Sequence, residues 1–152
     1  MRKLALTILA AGAALTLAGC TASADPQFAS PSGSPAEFPD WVSEDFADEY
    51  SDLTLVSEGI AEAGDDLIYS ARDNKDNVCV VVVAPPTDGG NGDDWFASAG
   101  CGPTAIFAER GAMVSYSGTG GRSGGAHLLP PGFDEPLEAG WSRVSPQLAI
   151  RD

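Results

Sequence analysis

Three features of the sequence predict an α+β fold, mostly antiparallel β-sheet with one or two short helices, preceded by a disordered tether. Short runs of residues either alternate apolar and polar or are continuously β-branched. Clusters of Gly, Pro, Asn and Asp punctuate them, and only two stretches carry helical spacing. A chain of 152 residues with no visible repeat suits one small domain, expected over residues 40–152.

The first element is an address. Arg2 and Lys3 precede an uncharged run from Leu4 to Gly19, which ends Leu17-Ala18-Gly19-Cys20. A short basic end before an apolar stretch of this length reads as a secretory signal rather than a durable membrane span. The four residues ending in Cys20 resemble the lipobox of bacterial lipoproteins. That resemblance implies that residues 1–19 are a signal peptide and that the Cys20 sulfur carries a diacylglycerol, with palmitate-type acylation. It also implies a protein anchored on the outer, extracytoplasmic face of the cell membrane. Two acyl chains hold stably where one is marginal. Ala22-Ser23-Ala24 is an alternative A-x-A cleavage site, and cutting there would discard Cys20.

Residues 20–39 read as a lipid-anchored Pro/Ser-rich linker. The stretch TASADPQFASPSGSPAEFP has four prolines and too few large apolar groups to offset the entropy of ordering.

Within the domain, Val42, Phe46, Tyr50 and Leu53 recur at helical spacing among seven acids from Glu37 to Asp52. This predicts a helix with one apolar stripe and a solvated acidic face, capped by Asp40 or Ser43. Leu53 to Val56 and Leu67 to Arg72 are strand candidates. Val78 to Ala84, VCVVVVA, reads as a strand covered on both faces. A further run spans Trp95 to Cys101. If the two runs pair as a hairpin centred on Gly90, Cys79 faces Cys101, Val81 faces Ala99 and Val83 faces Ala97. That register allows a cross-strand disulfide between Cys79 and Cys101, as an exported chain favours. Pro103 and Gly111 bracket a short helix with Ile106 and Phe107 inward. Met113 to Ser117 and Ala126 to Leu129 are strands. Trp141 to Ile150 is a strand interrupted by Pro146, which places it at a sheet edge. The total is five to seven short strands.

Charge excludes one class of partner. Twenty-two acids oppose eight bases, and two of those bases lie in the leader. Such a field repels nucleic acid and anionic lipid.

Candidate chemistry is sparse. Gly120, Gly121, Arg122 and Ser123 form a glycine-rich loop whose backbone N–H groups and guanidinium suit an anion, though without the ending of a P-loop. Asp88 to Asp94 offers oxygen ligands but no EF-hand spacing, and no metal or cofactor is expected. Gly121-Arg122-Ser123-Gly124-Gly125 matches the nucleophile-elbow string, yet the prolines after Leu129 leave no room for the helix that must follow it. His127 is the only histidine, so a small hydrolase using it is the enzymatic alternative to a non-catalytic domain. Trp41, Trp95 and Trp141 suit packing or a sugar platform.

The layout as a whole resembles small lipoproteins of actinobacterial type. It comprises a lipobox, a Pro/Ser tether, a Cys-bearing valine-rich strand, a second Cys near a Trp, and a terminal Trp-x-x-Val-Ser-Pro. The expected protein is therefore a membrane-tethered, non-catalytic binding domain for an envelope protein or small ligand.

Overall fold

The computed structural model describes residues 33–86, 94–117 and 123–152. Nine strands form two antiparallel sheets among these residues. The first sheet is a meander of β1 (Ser34–Pro35), β2 (Tyr50–Leu55), β3 (Leu67–Asp73), β4 (Val78–Ala84) and β5 (Phe96–Gly102), in that spatial order. The second contains β6 (Ala112–Ser117), β7 (Ser123–Leu128), β8 (Ser142–Ser145) and β9 (Leu148–Arg151), ordered β6-β7-β9-β8. Two short helices, α1 (Glu44–Ala47) and α2 (Thr104–Arg110), join the strands. Neither is long enough to make a layer of its own, so the mostly antiparallel β expectation holds while the α+β label fits only loosely.

β4 is the centre of the packing. Val78 through Val83 are 0% exposed and Ala84 is 1% exposed. Val78, Val80 and Val82 face Ala112, Val114, Ala126, Leu128 and Leu148 of the second sheet, with Phe107 of α2 closing the same core. Cys79, Val81 and Val83 face the opposite way, under Val42 and an aromatic group including Phe38, Trp41, Phe46, Tyr50 and Trp95. The chain before β2 thus lies over the outer face of the first sheet. Burial there lifts the phenols of Tyr50 and Tyr69 above the ordinary tyrosine range; Glu49 and Asp73 push Tyr50 the same way. On the far side, Phe133 and Leu137 cover Leu129, Trp141 and Ala149 on the outer face of the second sheet.

The expected helix through Leu53 is replaced by one turn and a strand. Ser43 caps α1 by accepting a hydrogen bond from the Phe46 N–H, and the helix ends at Asp48. Tyr50 then pairs with Asp73 in the sheet. The three-residue spacing from Tyr50 to Leu53 has a different cause. β2 carries a bulge between Ser51 and Thr54, with Asp52 at φ 54°. The extra residue brings Tyr50, Leu53 and Leu55 onto one face, against the aromatic layer. A bulged strand has imitated a helix.

Two other boundaries move. Sheet pairing begins at Ser34, and Phe38 packs on Tyr69, so residues assigned to the tether before position 40 already belong to the fold. The C-terminal run is two strands rather than one. Pro146, which has no N–H to give a ladder, sits in the turn between β8 and β9, and β9 lies inside the sheet between β7 and β8. Pro103 stands at the N-cap of α2, one place before the expected position. Gly111, at φ 80°, closes that helix with its N–H on the Phe107 carbonyl.

The β4–β5 register matches the sequence expectation pair for pair: Cys79 opposite Cys101, Val81 opposite Ala99, Val83 opposite Ala97. The two cysteines are bonded, with Cα atoms 4.1 Å apart. A bridge across this 22-residue separation stabilises by about 3 kcal/mol through the unfolded chain. At Gly100 on β5, a Cβ would sit 2.0 Å from the Met113 carbonyl oxygen on β6, so the sheets approach there backbone to backbone.

The double variant Cys79→Ala/Cys101→Ala should lose about 3 kcal/mol in denaturant unfolding. An unchanged midpoint would mean that the bridge contributes nothing. Gly100→Ala should cost about 2 kcal/mol or more, since a main-chain carbonyl has no rotamer by which to yield. Thermal unfolding of that variant checks it.

Candidate functional site

The site lies at one end of the second sheet, partly on its outer face and partly in the wedge between the sheets. Gly125 on β7 pairs with Ser115 of β6 on one side and Arg151 of β9 on the other. Arg151 crosses the strand between them, and its guanidinium donates to the Ser115 hydroxyl at 2.7 Å. The Trp141 ring lies beside it, 4.9 Å from the guanidinium carbon. Glycine makes this crossing possible: a Cβ at position 125 would stand 2.9 Å from the Trp141 ring. Arg143, also on the second sheet, donates to the Phe133 carbonyl and lies over the Phe133 ring. Among the described residues, neither Arg143 nor Arg151 is within ion-pair distance of a carboxylate.

Three adjoining clefts share Arg151 and Asp152. The first, of ≈ 320 Å³, runs under the loop from Glu62 to Asp66 and is floored by Ile68 and Ile150. Its acidic side carries Glu62, Asp65 and Asp66; Tyr116 spans the sheets by donating its hydroxyl to the Asp66 carboxylate. The second, of ≈ 400 Å³, continues along Val144 and Ser142 of β8. The third, of ≈ 340 Å³, opens beside the hydroxyl-bearing Ser115, Ser117 and Ser123. Ser57 holds the wall of the first cleft, accepting from the Ile68 N–H at 3.0 Å and donating to the Asp66 carbonyl at 3.3 Å.

Of the residues singled out from sequence, Gly120, Gly121 and Arg122 lie outside the described residues, as do Cys20 and the span 87–93. Ser123 opens β7 opposite Ser117, and so belongs to a β-hairpin instead of the strand-to-helix turn of a nucleophile elbow. The His127 Nε2 lies 2.8 Å from the Arg110 carbonyl oxygen. A carbonyl can only accept, so Nε2 carries the proton in this contact and is not free to take one from a serine. The edges of Phe133 and Trp141 pack on the same imidazole. The three tryptophans do not form one platform. Trp41 and Trp95 pack together in the layer over the first sheet, while Trp141 lies over the second.

Sequence reasoning missed Arg151, Asp66 and Tyr116. The available signal was the pair Gly124-Gly125 inside a strand, which marks a close approach by another group.

A separate cluster at the β3–β4 turn resembles a metal site by distance alone. Asp73, Cys79 and Cys101 bring ligand-type atoms within 4.8 Å, but the two sulfurs are bonded to each other. Asp73 instead organises the turn. Its carboxylate accepts from the Asn77 side chain and from the N–H groups of Lys75 and Asn77. These bonds, led by the Asn77 amide, hold its pKa below the ordinary carboxylate range. A depressed folded value means stabilisation that is complete above the unfolded value and is lost as pH falls through the folded one.

Compared with protein-family models, curated proteins and solved structures, the chain matches none. No helix of the described residues is long and apolar enough to cross a membrane.

Asp73→Ala should melt below the parent at neutral pH, with the gap closing in strong acid as the parent's own carboxylate protonates. Melts across that range decide it; a gap independent of pH would remove the charge from the explanation.

Proposed function

We propose that the chain is a lipid-anchored protein of the extracytoplasmic membrane face whose folded domain binds a ligand and performs no chemistry on it. The observation that carries the binding reading is the set of clefts converging on Arg151. Apolar walls and carboxylates line the side between the sheets, while hydroxyls and the Arg151 guanidinium line the adjoining outer side, so concave space of small-ligand size opens at this end of the sheet. A cross-strand disulfide suits an oxidising compartment, and the Arg2–Cys20 segment supplies the signal and the acceptor thiol for an anchor. His127 commits its Nε2 to a backbone carbonyl, which leaves only Nδ1 for any proton transfer.

Cell fractionation tests the anchor. The parent protein should sediment with membranes and Cys20→Ser should appear in the soluble or secreted fraction. A variant that stays with the membrane, or a parent that does not, overturns this part of the reading. Mass spectrometry of the mature N-terminus gives an independent result: a diacylated Cys20 supports the anchor, and cleavage after Ala24 removes it.

A further inference from the structure

We infer that the outer face of the second sheet holds a tetrahedral oxyanion, the phosphoryl group of a small phosphate monoester, between the Arg151 guanidinium and the hydroxyls of Ser115, Ser117 and Ser123. The inference rests on the binding reading above and names the class of ligand for its outer opening.

Strand register puts these groups on one side. Ser115 stands opposite Gly125, which stands opposite Arg151, and Ser117 stands opposite Ser123. Side chains alternate along a strand, so Val114 and Ile150 turn to the core while these residues turn away from it. The other guanidinium of this sheet obeys the same rule: Arg143 stands opposite Ala149, which shares the outer face with Arg151. Ser115, Ser117, Ser123 and Arg151 together line an opening of ≈ 340 Å³, a volume that suits a small ligand.

The donors decide which anion fits. In a chain with twenty-two acids and eight bases, Arg151 nevertheless makes its contacts with neutral groups, the Ser115 hydroxyl and the Trp141 ring. Both hold the side chain, so little further ordering is needed when an anion arrives. Ser115 accepts the bond from Arg151, which leaves its own O–H proton to donate. A guanidinium has five N–H donors, and its planar fork takes two oxygens of an anion by parallel bonds. A carboxylate then has no third oxygen for the serine hydroxyls. A phosphoryl group, with three acceptor oxygens, reaches the fork and the hydroxyls together. Among the described residues that line the opening, Asp152 alone carries a carboxylate, and its charge opposes an anion there.

The test is an NMR titration of the mature protein as isolated from cells, in detergent micelles, following the three indole N–H signals. Trp141, against the guanidinium, is the reporter, and Trp41 and Trp95, over the other sheet, are internal controls. The probes are inorganic phosphate, glycerol 3-phosphate, acetate and chloride at constant ionic strength, and phosphatidylglycerol mixed into the micelles. Both phosphates should shift the Trp141 signal and bind at least about tenfold more tightly than acetate or chloride. Ser117→Ala leaves the Arg151–Ser115 contact in place, and should weaken phosphate by about tenfold without changing acetate. Arg151→Lys keeps the charge but loses the fork, and should weaken both, while Asp152→Asn should strengthen phosphate. Acetate or chloride binding as tightly as phosphate would overturn the tetrahedral oxyanion while leaving a binding face standing. Phosphatidylglycerol binding more tightly than glycerol 3-phosphate would overturn the soluble monoester in favour of a lipid headgroup. No response to any probe, with the indole signals still dispersed as in a folded protein, would overturn the oxyanion and the outer opening together.

Discussion

Everything in this fold depends on covering β4 twice. A strand whose every residue is apolar or a disulfide cysteine has no face to give to water, and VCVVVVA leaves none. An antiparallel sheet commonly packs one face and wets the other, so this strand demands two covering layers where a two-sheet sandwich supplies one. The second sheet buries Val78, Val80 and Val82. The chain preceding β2 has to bury Cys79, Val81 and Val83, and it does so with aromatic rings laid across the sheet. That requirement explains why a segment rich in acids also carries Phe38, Trp41, Phe46 and Tyr50. The acids face water while the rings face β4.

The same constraint separates what the sequence made legible from what it hid. The β4–β5 pairing was readable because both strands are regular and their spacing has one register that sets cysteine against cysteine. The strands β6 and β7 were readable in outline without their pairing, and β7 begins at Ser123, inside the stretch read as a glycine-rich loop. The segment before β2 misled because burial spacing reports which residues face the core, without reporting the backbone that puts them there. The bulge at Asp52 converts a period of two into a local step of three, which is helical arithmetic. Pro146 misled in the opposite direction: an edge strand tolerates proline, but so does a turn, and only pairing partners distinguish the two. The site was the least legible part. Ser115, Gly125 and Arg151 lie far apart in sequence and share nothing in composition; a row across three strands brings them together.

The location of the cleft follows from where coverage stops. The centre of the sandwich is filled by β4 against β6 and β7, with Phe107 sealing the α2 side. Beyond the buried Leu148, the inner face of β8 and β9 carries the partly buried Val144 and Ile150, and the opposite wall is the Glu62–Asp66 segment in place of a strand. A loop cannot hydrogen-bond laterally as a strand does, so it is held at discrete points: Ser57 to Ile68 and Asp66, and Tyr116 to Asp66 across the gap. A wall fixed at a few points leaves concave space between them. Polar side chains collect there because the wedge is too open to exclude water.

Charge is distributed unevenly over this architecture, and the unevenness matters more than the total. Residues 33–86 carry thirteen acids against two bases, while residues 94–152 carry six against four. The first half builds four strands of the sheet whose outer layer is acidic; the second half adds β5 to it and builds the sheet that holds Arg143 and Arg151. Fields from exposed charges fade within about 10 Å at physiological salt, so an arginine on the second sheet is screened from most acids on the far side of the sandwich. It responds chiefly to what lies in its own cleft. A uniformly acidic surface would neutralise any arginine it contained. Collecting many of the acids on the outer layer of the first sheet keeps the domain dispersed, while Arg151 makes its contacts with Ser115 and Trp141 on the second.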